Sequence, residues 1–103
     1  MTTPLVTVLM PVYNAERFLK QAIESVLSQT FTNFEFLIIN DGSTDQSVNI
    51  IQSFSDNRIV LIHNEKNCGV IDTLNKGIML AKGKYIARMD ADDIAIPTRF
   101  EKQ

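Results

Sequence analysis

Residues 34–39, Phe-Glu-Phe-Leu-Ile-Ile, decide the fold of this chain, and a polar turn at 40–43 follows them at once. A short and nearly continuous apolar run is typical of a strand covered on both faces, as in a parallel sheet. Similar runs occupy 5–10, 59–62 and 85–89. The sequence therefore predicts four short strands.

Helical patterns fill the intervals between these strands. Over 15–28, apolar residues recur at three- and four-residue spacing and form one stripe, with Asn14 in the position of an N-cap. Ser43 with Gln46 three residues later has the pattern of a capping box, which predicts the start of a second helix.

Two more helices are predicted further along. The third spans 71–81 and should pack through Ile71, Leu74 and Ile78. Pro97 fits the first turn of a last helix.

The alternation of strand and helix implies right-handed crossovers in a layered α/β fold. We expect a single domain over 1–103, a Rossmann-like parallel sheet of about four strands in the order 3-2-1-4 with flanking helices. Ligands of such sheets bind beyond the C-terminal ends of the strands, where the strand order reverses. That rule places Tyr13 and Asp90 beside one crevice.

Composition excludes several classes of partner. Ten Lys and Arg against twelve Asp and Glu give a net charge of -2, so no overall basic field exists to bind nucleic acid. The apolar run near the N-terminus is too short for a membrane span. The single cysteine, Cys68, cannot form an internal disulfide and fits a reducing, cytoplasmic location.

The strongest chemical signal is Asp90-Ala91-Asp92-Asp93, directly after the fourth predicted strand. In an extended stretch Asp90 and Asp92 point to the same side, which is unfavourable unless a cation or a proton is supplied. Carboxylate oxygens suit Mg²⁺ or Mn²⁺ that also holds a diphosphate. Asp90, Asp92 and Asp93 are thus candidate metal ligands, and a solvated acidic turn is the alternative.

Three other strand-end residues are candidates for binding a nucleotide. The carboxylate of Asp41 could accept a base N–H, and Tyr13 could stack on the base. The alternative for Asp41 is that it only forms a turn over 41–43. The alternative for Tyr13 is that it packs at the edge of the core. Asn67 could line the pocket or simply belong to a turn.

Taken together, these segments resemble family 2 glycosyltransferases of the GT-A fold. The likeness rests on residues 6–14, 28–31, 33–35, 40–45, 67–69, 75–78 and 90–93. It implies that residues 1–103 are the N-terminal half of a GT-A domain, a truncated part that binds the nucleotide sugar. It further implies an inverting, hexosyltransferase-like enzyme of polysaccharide biosynthesis that uses Mg²⁺ or Mn²⁺. The donor would commonly be a UDP sugar and the acceptor a saccharide or a lipid-linked saccharide.

The resemblance also implies roles for residues. Pro11, Tyr13 and Asp41 would contact the base and ribose, with Asn14 and Asn67 in the same donor site. Asp90 would contact the sugar nucleotide and Asp92 would ligate the metal, with Asp93 beside them in the same DXD-type motif.

The general base of such enzymes lies in a later segment. We therefore expect no catalytic residue in these 103 residues and little transfer by them alone. The full-length protein would be cytoplasmic or peripheral to the inner face of the membrane.

A second class of function keeps the fold without the chemistry. The chain could be a non-catalytic nucleotide-binding or protein-interaction module, with a homodimer formed through the exposed edge of the fourth strand. A phosphoacceptor receiver domain fits less well, because residues 12–14 carry no acidic pair.

Overall fold

The computed structural model describes residues 6–28 and 33–89, which form one parallel sheet with helices on both faces. The predicted order is confirmed: the strands lie as β3-β2-β1-β4. None of the described helices has the length and apolarity of a membrane span. The elements are β1 (Val6–Val12), α1 (Glu16–Leu27), β2 (Phe34–Asn40), α2 (Ser47–Gln52), β3 (Ile59–His63), α3 (Val70–Leu80) and β4 (Tyr85–Arg88).

The core lies mainly between the sheet and α1. Its buried side chains come from α1, α2, the central strands and the end of β4, among them Met10, Leu19, Ile23, Phe36 and Ile51. A smaller cluster of Leu9, Leu37 and Ile39 lies on the opposite face, with Leu74 of α3 packed against it. The central strands β1 and β2 are buried almost throughout, whereas β3 and β4 are largely half-buried or exposed. The prediction of strands covered on both faces is therefore wrong for the two edge strands.

Of the three residues predicted to pack helix α3 against the sheet, Leu74 is confirmed, whereas Ile71 and Ile78 are not. Ile71 and Ile78 are 71% and 54% exposed, while Thr73 and Gly77 are the buried residues of the helix. A Cβ added to Gly77 would overlap the Leu9 methyl groups. The helix thus lies too close to β1 for a large side chain, and its smallest residues face the sheet.

The predicted N-cap of α1 is also wrong. Ala15 holds that position, and no side chain of its own caps the helix. Side chains that are distant in sequence accept hydrogen bonds from the backbone N–H groups at the start of α1 instead. Ala15 N–H donates to Ser47 Oγ at 3.0 Å, and Glu16 N–H donates to Asp45 Oδ2 at 3.2 Å. The segment after β2 therefore caps the helix after β1.

Helix α2 starts four residues after the predicted cap. It begins at Ser47 with Gln46 as N-cap, so Ser43 and Gln46 do not form a capping box. The Ser43 hydroxyl instead accepts a hydrogen bond from Asn14 N–H at 3.0 Å. It joins the ends of β1 and β2 rather than starting a helix.

Candidate functional site

A pocket of about 330 Å³ opens at the C-terminal edge of the sheet, where the sequence predicted a ligand site. The β1–β4 register ends at the pair Leu9–Arg88, so β1 extends three residues past it and forms one wall. Among residues 6–28 and 33–89, the pocket is lined by Pro11, Val12, Tyr13, Asp41, Asn67, Gly69 and Val70. Of the predicted site residues, Pro11, Tyr13, Asp41 and Asn67 are thus brought together.

Tyr13 is 54% exposed and belongs to the pocket wall rather than to the core. The bend that follows it is fixed by Asn14, which adopts the left-handed conformation with φ of 49°. Asn14 N–H donates to Ser43 Oγ, and Thr44 N–H donates to Asn14 Oδ1 at 2.8 Å. Asn14 is not one of the lining residues; its observed contacts hold the bend, and its binding role stays a prediction.

Asp41 is the most heavily hydrogen-bonded side chain of the site and is only 3% exposed. Its Oδ1 accepts from the Asn64 amide and from Cys68 N–H, both at 2.8 Å. Its Oδ2 accepts from Gly69 N–H at 3.0 Å and from the Asn67 amide at 3.2 Å. A carboxylate offers about four acceptor positions, so the loop 64–69 occupies all of them.

These contacts also cap α3 from another element. Gly69 is the N-cap of α3, which has no side-chain cap of its own. The negative charge of Asp41 lies at the positive end of the helix dipole, where carboxylates are stabilising. One buried carboxylate therefore anchors the loop 64–69 and the start of α3 to the end of β2.

Burial of Asp41 would by itself raise its pKa. Hydrogen bonds to the charged form outweigh that effect, and the largest come from Cys68 N–H, the Asn64 amide and Gly69 N–H. The pKa of Asp41 therefore lies below its ordinary value of 3.8. The carboxylate is ionised at neutral pH and acts only as an acceptor.

Acid should destabilise the fold through three such carboxylates, Asp41, Asp45 and Asp56. Burial by itself raises the pKa of Asp45, but hydrogen bonds from Ser47 and Glu16 lower it by more than burial raises it. The hydrogen-bonded Arg58 side chain lowers the pKa of Asp56. A depressed folded-state pKa gives stability that is present above 3.8 and is lost as pH falls through the folded-state value. We expect a level free energy of unfolding from pH 7 to about 5. Below about 4 it should fall by at most about 1.4 kcal/mol per pH unit for each group.

Urea unfolding at pH 7, 5, 4 and 3 measures this dependence. Asp56→Asn should make the acid slope shallower, because that carboxylate no longer takes up a proton on unfolding. A free energy of unfolding that stays level down to pH 3 would contradict the expectation.

The sequence predicts residues 64–69 at the ligand edge of the sheet but gives no individual role to Asn64, Thr73 or Lys76. Asn64 donates to Asp41 and to Thr73 Oγ1, and it accepts from Lys76 Nζ at 2.8 Å. The available signal was weak: Asn64 is the first residue after β3 and so lies at the ligand edge of the sheet. Thr73 and Lys76 are three residues apart and share one helix face.

The predicted metal ligands Asp90, Asp92 and Asp93 lie outside the described residues. Within 6–28 and 33–89, no three acidic, histidine or cysteine side chains are grouped as metal ligands. The last described residue, Met89, still pairs with β1, since its N–H donates to the Leu9 carbonyl at 2.9 Å.

Comparison with known proteins identifies the family of this chain. The family model described as "Glycosyl transferase family 2" matches residues 7–103. An "Uncharacterized glycosyltransferase" of Haemophilus influenzae is 48% identical over 101 residues, which cover 96% of this chain and 31% of that protein. The chain thus spans about a third of the length of the curated relatives it matches.

Solved structures show the same fold. The crystal structure of S. aureus TarS 1-349 in complex with UDP-GlcNAc superimposes with a TM-score of 0.87 at 25% identity, covering 94% of this chain and 29% of TarS 1-349. The mannosyltransferase PcManGT from Pyrobaculum calidifontis, solved with GDP-Man and Mn²⁺, gives 0.84 at 21% identity, covering 95% and 30% of the two chains. The sheet and its helices therefore form the N-terminal part of a GT-A domain.

Proposed function

Since this chain belongs to glycosyl transferase family 2, we propose that it binds the nucleotide-sugar donor of a glycosyltransferase at the C-terminal edge of the sheet. One observation carries the proposal: the pocket there joins an exposed tyrosine, a proline and two polar side chains from three separate segments. The complex of TarS with UDP-GlcNAc supports this choice of ligand.

The pocket suits a flat base that carries a ring N–H. The exposed face of Tyr13 offers a stacking surface beside Pro11, and such contacts contribute about 1–3 kcal/mol per base. The Asn67 amide oxygen accepts no hydrogen bond from the described residues, so it is available for a base N–H. The Asp41 carboxylate, which accepts a hydrogen bond from the Asn67 amide NH₂, contributes negative charge beside that oxygen. Uracil, thymine and guanine carry such an N–H whereas adenine does not, and we propose UDP as the nucleotide.

The diphosphate requires a positive counter-charge. No glycine-rich phosphate loop follows β1, where the sequence is Pro11-Val12-Tyr13-Asn14. We propose that Asp92, with Asp90 and Asp93 beside it, holds Mg²⁺ or Mn²⁺ against the diphosphate. The Mn²⁺ in the PcManGT complex supports a divalent ion. Such an ion offsets the charge that develops on a departing nucleoside diphosphate.

Transfer itself would need more than these residues. We propose that an acceptor hydroxyl attacks the anomeric carbon in line and breaks its bond to the phosphate oxygen, so that the nucleoside diphosphate leaves on the opposite side and the configuration inverts. A base supplied by a later segment would remove the hydroxyl proton. The full-length protein would be a cytoplasmic or membrane-peripheral hexosyltransferase acting on a saccharide or lipid-linked acceptor. The 103 residues alone should show little or no transfer.

Calorimetry of the chain with UDP, in the presence and absence of Mn²⁺, tests donor binding. We expect binding that requires the ion, that extends to GDP, and that weakens at least about tenfold with ADP, whose base lacks the ring N–H donor. Asp92→Ala should lose the binding that Mn²⁺ supports. Glu24→Ala, which removes an exposed carboxylate on α1, is the matched control and should bind as the wild type does.

Absence of UDP binding at millimolar concentration would refute the donor-binding proposal. The same samples examine the second candidate, an interaction module that pairs through β4. That strand is the edge of the described sheet, and its Tyr85 and Ile86 are 57% and 43% exposed. A chain that dimerises and binds no nucleotide would favour that candidate, whereas a nucleotide-binding monomer would exclude it.

A further inference from the structure

The loop 64–69 separates the nucleotide pocket from a second cavity. Asn67 and Gly69 line the pocket, while Asn64, Cys68 and Lys76 belong to the second cavity of about 270 Å³. The loop is thus a thin wall whose conformation sets the shape of the pocket. A contact that fixes the loop from the side of the second cavity therefore also positions Asn67 and Gly69 in the nucleotide pocket.

Lys76 contacts this wall from the side away from the pocket. Its Nζ donates to Asn64 Oδ1 at 2.8 Å, and the Asn64 amide NH₂ donates to Asp41 Oδ1 at 2.8 Å and to Thr73 Oγ1 at 3.0 Å. Ammonium, amide and carboxylate therefore form a continuous chain of hydrogen bonds, and its last member holds Cys68 and Gly69.

Chemistry permits only one orientation of the Asn64 amide in this chain. The ammonium is a pure donor and must face the amide oxygen, while the ionised carboxylate is a pure acceptor and must face the NH₂ group. The reversed amide would place donor against donor at Lys76 and acceptor against acceptor at Asp41. The positive charge also polarises the amide and strengthens the hydrogen bond that it donates to Asp41.

We propose that Lys76 is a positioning residue of the donor site, which orients the Asn64 amide and, through Asp41, fixes the loop that forms the pocket wall. This inference rests on the proposed function for its effect on nucleotide binding. Its effect on the loop is independent of any ligand.

Lys76→Met tests the role, because methionine keeps the apolar stem and removes the charged donor. Without ligand, amide hydrogen exchange at Cys68 and Gly69 should accelerate about tenfold. In the presence of Mn²⁺, the affinity for UDP should fall about five- to tenfold. Lys76→Arg should retain both properties within about twofold, and Lys82→Met, which changes an exposed lysine, should change neither.

A double-mutant cycle with Asn64→Ala separates this role from general destabilisation. Once the amide is absent, Lys76→Met should have little further effect on exchange or affinity. Lys76→Gln keeps a neutral donor and should lie between the wild type and Lys76→Met, which preserves the test if methionine prevents folding. Wild-type exchange rates in Lys76→Met, or faster exchange with unchanged UDP affinity, would overturn the assignment. A wild-type chain that binds no UDP would instead contradict the proposed function, and the exchange rates alone would then decide whether Lys76 fixes the loop.

Discussion

Asp41→Asn should lower the free energy of unfolding by about 2–4 kcal/mol, because an amide cannot replace a carboxylate that accepts on both oxygens. Asn64 and Cys68 N–H donate to one oxygen, and Asn67 and Gly69 N–H donate to the other. Either orientation of the new amide turns an NH₂ group toward one of these donor pairs. Two hydrogen bonds are lost, and in this nearly buried position water cannot replace them.

Loss of the anchor should also open the pocket wall. We expect the affinity of Asp41→Asn for UDP to fall at least about tenfold, since Asn67 and Gly69 lose their common partner. Urea unfolding at pH 7 and calorimetry measure the two effects. Asp72→Asn is the control: this exposed residue in the first turn of α3 should cost no more than about 1 kcal/mol through the helix dipole. A stability of Asp41→Asn within 0.5 kcal/mol of the wild type would contradict the anchoring role.

The sheet could be predicted from the sequence because its signals are local. Apolar runs separated by helical patterns indicate strands and crossovers, and the order 3-2-1-4 is confirmed. Helix starts were harder, because the capping rules consider only neighbours in sequence. Here the donors at the start of α1 are satisfied by Asp45 and Ser47, about thirty residues away.

The packing of α3 shows a different limit. Periodicity identifies the apolar face of a helix, but the distance between helix and sheet depends on the smallest residues. Gly77 and Thr73 allow the close approach, so Ile71 and Ile78 remain exposed.

The site contains residues that could be predicted from the sequence and one that could not. Pro11 and Tyr13 lie at the end of β1, and Asp41 and Asn67 come after β2 and β3. These strands end at the same edge, so topology alone brings the four residues together. Lys76 lies in the segment 75–78 that carries the family resemblance, but its role could not be inferred, because it acts through Asn64 of another element.

A second tight contact lies at the opposite end of the sheet, where the connection from α3 to β4 crosses β1. Thr7 is fully buried, and its hydroxyl donates to Glu35 Oε2 at 2.5 Å while accepting from Gly83 N–H at 2.8 Å. Lys82 N–H donates to the same Glu35 oxygen at 2.6 Å. These bonds draw Gly83 against the backbone of β1.

Gly83→Ala should therefore cost at least about 3 kcal/mol, or prevent folding, because the added Cβ has no space. It would overlap Thr7 N and lie 2.6 Å from the Val6 carbonyl carbon and 2.7 Å from Thr7 Oγ1. The first two atoms belong to the backbone of β1, which is held between β2 and β4 and cannot shift. Urea unfolding followed by circular dichroism measures the loss, and a variant within 1 kcal/mol of the wild type would show that the connection can move.

Gly77→Ala is the informative comparison, because its clash involves the end of a side chain. The added Cβ would overlap one Leu9 methyl, with the other at 2.8 Å and Ile39 Cδ1 at 3.1 Å. In a Leu9→Ala background these methyls are gone, so the two substitutions should couple by about 1–3 kcal/mol. Thr7→Ala should relieve Gly83→Ala far less, since the backbone atoms remain. Equal relief in the two pairs would mean that β1 yields as readily as a leucine side chain, which is incompatible with its central position in the sheet.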